Sequence, residues 1–179
     1  MAFSTNILKD YLNPVFIETG TYKGDGVQTA LDAGFETIYS FEASPQLWEY
    51  SYNRFINQPN VHIMNCDSSR YLPELLKSIK SHITFWLDAH ECGDAYIDEG
   101  DCQRVIPTFD SQPLLMELRA ISSHPIKDHI IIIDDMRLFN NKMLRSMIIS
   151  INKRYIISYA SGSYSNDILI AKASKELSR

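Results

Sequence analysis

The stretch Val15-Phe16-Ile17-Glu18-Thr19-Gly20-Thr21-Tyr22-Lys23-Gly24-Asp25-Gly26 decides how the chain is read. An apolar run ends in a carboxylate and a glycine-bearing turn, and a helical pattern starts directly after it. In open parallel α/β sheets, ligands sit beyond the carboxyl ends of the strands, and the first strand-to-helix turn supplies much of the pocket floor. Dinucleotide sites use G-x-G-x-x-G and nucleoside triphosphate sites use G-x-x-x-x-G-K-[ST], so that backbone amides and a lysine hold phosphate. Neither spacing occurs here. Gly20 permits the sharp turn, Gly24 lets the backbone approach a ligand, and Glu18 places negative charge where a pyrophosphate would otherwise lie. The expected ligand is therefore cationic or zwitterionic. S-adenosylmethionine, with an ammonium, a sulfonium and no phosphate, fits, while an ordinary turn is the competing reading.

Size and composition narrow the field. At 179 residues the chain suits one well-buried domain, 1–179, rather than two. With 45% hydrophobic and 22% charged residues and no apolar run near the ~20 residues of a membrane helix, a soluble, non-membrane protein is expected. Met1 to Asp10 lack the basic start and apolar core of a signal peptide, so a cytoplasmic location is the default. Cys66, Cys92 and Cys102 show no C-x-x-C spacing, which points to reduced thiols rather than zinc or disulfides. A net charge of -5 without a basic cluster opposes a nucleic-acid partner.

Strand-like and helix-like patterns alternate along the chain, the mark of a mostly parallel sheet covered on both faces. A helix is expected from Ser4 or Thr5 to Leu12, and another is capped by Asp25 and ended by Gly34. Strands are expected at Thr37–Glu42, Asn60–Cys66, Ile83–Asp88 and His129–Asp134. Ser44-Pro45 opens a helix whose Leu47, Trp48, Tyr52 and Phe55 read as core packing, and Ser68 or Ser69 opens the next. Ala89 to Asp110 reads as a long acidic loop, followed by helices at Pro113–Ser122 and Lys142–Ile151. Tyr155–Tyr159 and Asp167–Ala173, joined by Ser161-Gly162-Ser163-Tyr164-Ser165-Asn166, read as an antiparallel hairpin at the sheet edge.

Carboxylates close the strands: Glu18, Glu42, Asp88 and the Asp134-Asp135 pair, with Asp67 just after the third. Glu42 lies 24 residues after Glu18, near the ~20-residue offset at which an acid reaches ribose hydroxyls. Asp67 with Ser68 suits an adenine amine, since a carboxylate accepts and a hydroxyl does either. Helix capping is the alternative role for both.

Through Phe16-Ile17-Glu18-Thr19-Gly20-Thr21, Ser40-Phe41-Glu42, Asn65-Cys66-Asp67-Ser68 and Phe85-Trp86-Leu87-Asp88 the chain resembles the class I S-adenosylmethionine-dependent methyltransferases over nearly its whole length. The resemblance implies a single-domain Rossmann-like α/β sheet, order 3-2-1-4-5-7-6, with the antiparallel terminal hairpin. It further implies that Glu18, Glu42 and Asp67 serve the methionine amine, the ribose and the adenine. Thr19, Gly20, Thr21, Gly24, Ala43, Ser68 and Asp88 complete the donor site. The first motif lacks the family's G-x-G, a departure at the methionine end.

Trp86-Leu87-Asp88-Ala89-His90 and Ile133-Asp134-Asp135-Met136-Arg137 are similar to sugar O-methyltransferases of the macrocin type and related glycan-modifying enzymes. That narrower resemblance implies a sugar or glycan acceptor and a magnesium or manganese ion on Asp88, Asp134 and Asp135. It also implies His90 as the base that deprotonates the acceptor with Asp88 beside it, and Arg137 as a substrate guide. Three alternatives stay open: a small-molecule, catechol-like O-methyltransferase; a protein or RNA methyltransferase, with the acidic loop opposing RNA; and a module that binds S-adenosylmethionine without transfer. Little chain is available for a lid, so either the site is open to a large acceptor or another subunit or domain, as in a homo-oligomer or multidomain context, covers it.

Overall fold

Strand β4 (Ile83–Leu87) is buried along its whole length, as a strand covered by helices on both faces must be. It lies at the centre of a seven-stranded sheet in the order β3-β2-β1-β4-β5-β7-β6. The computed structural model describes residues 8–88 and 113–174. His90, Cys92, Cys102, the expected acidic loop and the start of the expected N-terminal helix lie outside the described residues. What is described of that helix is a 3-10 turn at Lys9–Tyr11.

Strands β1 (Val15–Thr19), β2 (Thr37–Glu42), β3 (Val61–Asn65), β4 and β5 (Ile130–Ile133) pair in parallel. Strand β7 (Ile168–Ala173) runs antiparallel to both β5 and β6 (Tyr155–Ala160), so the expected strand order and terminal hairpin are both present. Register brings Thr19 level with Phe41 and Leu87, which aligns the carboxyl ends of β1, β2 and β4 on one rim.

Among the described residues, five α-helices cover the sheet: α1 (Asp25–Ala33), α2 (Pro45–Phe55), α3 (Ser68–Ser78), α4 (Pro113–Ser123) and α5 (Asn141–Ile151). Because successive strand residues face opposite sides, β1 divides two cores. Val15 and Ile17 join Leu72, Leu118 and Leu144 from α3, α4 and α5, whereas Phe16 joins Val27 and Ala30 of α1 and Phe55 of α2. The same alternation sends Glu18 toward α1 and Thr19 toward α4.

Local signals explain most boundaries. The Ser44 hydroxyl accepts from the Leu47 amide with Pro45 in the first turn, and Gly34 ends α1 in a left-handed conformation at φ 99°. Asp25 does not cap α1. Gly24 occupies that position, and the Asp25 carboxylate pairs instead with Arg54 at 2.7 Å. Helix α3 opens at Ser68 because Asp67 caps it. Of the aromatics on α2, Phe55 is buried but Tyr52 is exposed, its ring lying 5.3 Å from that of Trp48. Among the described residues, no helix is long and apolar enough to cross a membrane.

Candidate functional site

The first crossover is built around a buried acid. Glu18 is 2% exposed and accepts a 2.6 Å hydrogen bond from the Ser40 hydroxyl, which in turn meets the Thr21 hydroxyl at 2.6 Å. Its Oε1 packs so closely on Gly26 that a Cβ there would lie 1.6 Å away. Burial, reinforced by the charges of Asp88, Glu42 and Asp25 and opposed by the Ser40 bond, pushes its pKa up to about 8. Glu18 therefore sits beneath the turn, bonded to Ser40 and packed on Gly26. Gly24 differs from expectation. With φ 82° it needs to be glycine, yet its Cα faces Phe55, whose ring a Cβ would meet at 2.5 Å, rather than a ligand. Gly20 (φ 85°) makes the sharp turn as expected, and its amide and that of Thr21 both donate to the Phe41 carbonyl at 3.0 Å.

Glu42 is the acid the fold holds at the rim. The Tyr22 amide donates to its Oε2 at 2.8 Å and the Ser44 amide to its Oε1 at 2.9 Å, so it ties the loop after β1 to the loop after β2. Tyr22 adopts φ 50°, a conformation that non-glycine residues seldom take, and it is this residue's amide that bonds Glu42. Burial raises the Glu42 pKa, and the amides of Ser44, Tyr22 and Ala43 counteract that rise. An ionised carboxylate has about four acceptor positions. With the amides of Tyr22, Ser44 and Ala43 about it, Glu42 keeps acceptor capacity for a further donor.

At the end of β3, Asp67 and Ser68 part company. Asp67 is exposed and accepts from the Ser69 amide at 2.9 Å and the Ser69 hydroxyl at 2.6 Å. Ser68 turns inward and donates to Glu117 of α4 at 2.5 Å, so its hydroxyl is not presented to an adenine. Glu117, which the sequence reading passed over, is 0% exposed, and its Oε2 has no hydrogen-bond partner. Burial outweighs its bonds from Ser68 and Thr19 and, with the charges of Asp67 and Asp88, pushes its pKa up to about 7. The sequence does carry a signal for it: an acid falls within the apolar stripe Leu114, Leu118 and Ile121. Half-buried Asp88 follows β4, and its amide donates to the Thr19 hydroxyl at 3.2 Å.

Among the described residues, the aspartates after β5 fall in a carboxylate group that does not include Asp88. Asp134 and Asp135 instead lie with Asp167, at the start of β7, in a group whose carboxylate oxygens are within 4.8 Å of one another. Asp135 adopts φ 53°, and its amide donates to the Asp134 carboxylate at 2.8 Å. Arg137 donates to Asp135 and to both oxygens of Asp167, the Oδ1 contact through its backbone amide at 2.9 Å, and its guanidinium lies 4.3 Å from the Tyr164 ring centre. Arg137 thus anchors the β6–β7 turn. Hard carboxylate oxygens suit magnesium or manganese. Arg137 engages Asp135 as well as Asp167, so an ion held by Asp134 and Asp135 would have to displace or share with that guanidinium.

No family model matches the sequence, and no curated protein matches it. Solved structures do. An SAH-bound methyltransferase of Podospora anserina, PaMTH1, aligns with 96% of this chain and 76% of its own at 12% identity and a TM-score of 0.60. Its fold is that of the class I methyltransferases. An O-methyltransferase from Bacillus cereus in complex with SAH matches over 95% of this chain and 78% of its own, at 13% identity and a TM-score of 0.61. An rRNA methylase from Streptococcus thermophilus matches over 96% and 94%, at 11% identity and a TM-score of 0.56. In that fold the rim holding Glu42, Asp67 and Asp88 is the carboxyl edge of the parallel strands, where ligands of open α/β sheets bind.

Proposed function

We propose that the chain is an S-adenosylmethionine-dependent O-methyltransferase whose acceptor is a sugar hydroxyl of a glycan or glycosylated metabolite. The observation that carries the donor is Glu42, fixed between two crossovers by the Tyr22 and Ser44 amides with acceptor capacity left for a ribose. The electrostatics support it. Glu42, Asp67, Asp88, Asp134 and Asp135 crowd one rim, while Arg54 is paired with Asp25 and Arg137 with Asp135 and Asp167. Such an edge favours a cationic ligand and opposes a phosphate backbone.

The donor, when bound, supplies a methyl group already activated by its sulfonium. What remains for the protein is positioning and proton removal. Glu42 holds the ribose and Asp67 receives the adenine amine through its remaining acceptor positions. His90, two residues beyond Asp88, takes the acceptor proton as the carbon–oxygen bond forms. Asp134 and Asp135 would hold a divalent cation, which lowers the pKa of a coordinated hydroxyl and orients its neighbours. The likeness of Trp86-Leu87-Asp88-Ala89-His90 and Ile133-Asp134-Asp135 to sugar O-methyltransferases supports carbohydrate as the acceptor.

The test is methyl incorporation from labelled donor into a panel of free and glycosidic sugars, with and without magnesium, and mass-spectrometric location of the product. Transfer to a sugar hydroxyl is expected. His90→Ala should suppress transfer by about 10²-fold or more while leaving donor binding intact. Incorporation into RNA or a catechol but no sugar overturns the acceptor class, and donor binding without any transfer overturns the enzyme.

A further inference from the structure

Glu117 is difficult to explain by stability. A buried acid carries a desolvation penalty, and among the described residues the Oε2 of Glu117 has no hydrogen-bond partner. Its neighbours on α4, Leu114, Leu118 and Ile121, belong to the apolar core, where a leucine of similar volume would fit. Its position explains more. Its carboxyl accepts from the hydroxyl of Ser68, first residue of α3, at 2.5 Å and lies beside Thr19, last residue of β1, whose hydroxyl accepts from the Asp88 amide beyond β4. One side chain of α4 thus holds the start of α3 beside the end of β1, two segments of the ligand rim. The charged groups facing it are Asp67, at the cap of α3, and Asp88.

We propose that Glu117 is a positioning residue, which through the Ser68 hydroxyl sets the turn after β3 in the geometry that receives the adenosyl half of the donor. This rests on the donor reading above and adds to it a residue on an element remote in sequence from every donor motif. Glu117 acts through that hydroxyl, whose direction fixes the adjoining backbone of α3.

Calorimetry with S-adenosylhomocysteine as the probe, together with thermal melts, on wild type, Glu117→Gln, Glu117→Leu and Ser68→Ala tests this. Glutamine keeps a carbonyl that accepts from the Ser68 hydroxyl, so its affinity should stay within about threefold of wild type. Leucine keeps the volume and loses the acceptor: the protein should stay folded at the assay temperature while affinity falls about tenfold or more. Ser68→Ala should lose affinity in the same direction, and it decides the matter if the leucine variant does not fold. A leucine variant that binds within threefold of wild type overturns the proposal, as does a glutamine variant as weak as leucine, or a foldable Ser68→Ala with wild-type affinity. Wild-type protein that binds no probe sinks the donor reading and this proposal together. Variants that all match a binding wild type sink this proposal alone.

Discussion

Glu42 shows why a strand-end acid can be read from sequence while the state of its neighbour cannot. Its place 24 residues after Glu18 marks it as a candidate for ribose, and the fold holds it with the Tyr22 and Ser44 amides. Glu42→Ala should weaken donor binding about tenfold to a hundredfold, measured by calorimetry. Glu18 looks equivalent in sequence, but strand alternation turns it under α1, where burial raises its pKa to about 8. For such an acid the folded state binds more protons than the unfolded one between pH 4.5 and 8, so its contribution to stability is present at low pH and lost as pH rises through that window. Glu117, raised to about 7, acts in the same direction. Glu18→Gln should therefore flatten the fall in unfolding free energy between pH 5 and 8, as read from denaturant titrations; an unchanged slope would mean that the carboxyl is ionised in place.

Among the elements, strands and helices were legible because their patterns are strong, and the exceptions lie where long-range contacts decide. Asp25 has the residue type of a cap, but the left-handed Gly24 takes the position and Arg54, 29 residues away, takes the carboxylate. Asp167 reads as the start of a strand, yet Arg137 draws it into the Asp134-Asp135 group, a contact that no local spacing announces. Arg137→Ala should lower the melting temperature by leaving three carboxylates together, with a smaller drop at acid pH, where they protonate. Gly26 was likewise overlooked, since nothing in its surroundings in sequence says that Glu18 will press against it. Gly26→Ala should destabilise by about 1–3 kcal/mol, and combining it with Glu18→Ala should recover part of that loss. Simple additivity of the two would show that they do not interact.

For the whole molecule, topology was the most legible property: apolar strands alternating with helices, then a final hairpin, announce a mostly parallel sheet with an antiparallel edge, the methyltransferase resemblance implies the order 3-2-1-4-5-7-6, and the sheet has that order, with the strand-end acids along one edge. The opposite edge has its own chemistry. His129 Nδ1 accepts from the Ile83 amide at 3.1 Å, so its Nε2 donates to His124 Nδ1 at 2.9 Å, and His124 Nε2 donates to the Ile79 carbonyl at 3.0 Å. This chain of bonds needs both rings neutral, and burial, with the neighbouring histidines, lowers the His129 pKa to about 3. Stability should therefore also fall as pH drops below about 6.5, the unfolded value, toward 3. Two flanks result: an acid one from His129 and an alkaline one from Glu18 and Glu117. The central claim, that the acid-bearing carboxyl edge of the sheet receives S-adenosylmethionine, is tested most directly by titrating the donor into the wild-type protein in a calorimeter. Saturable binding of one molecule per chain, weakened by Glu42→Ala, is the expected result; no binding by a folded wild-type protein would contradict it.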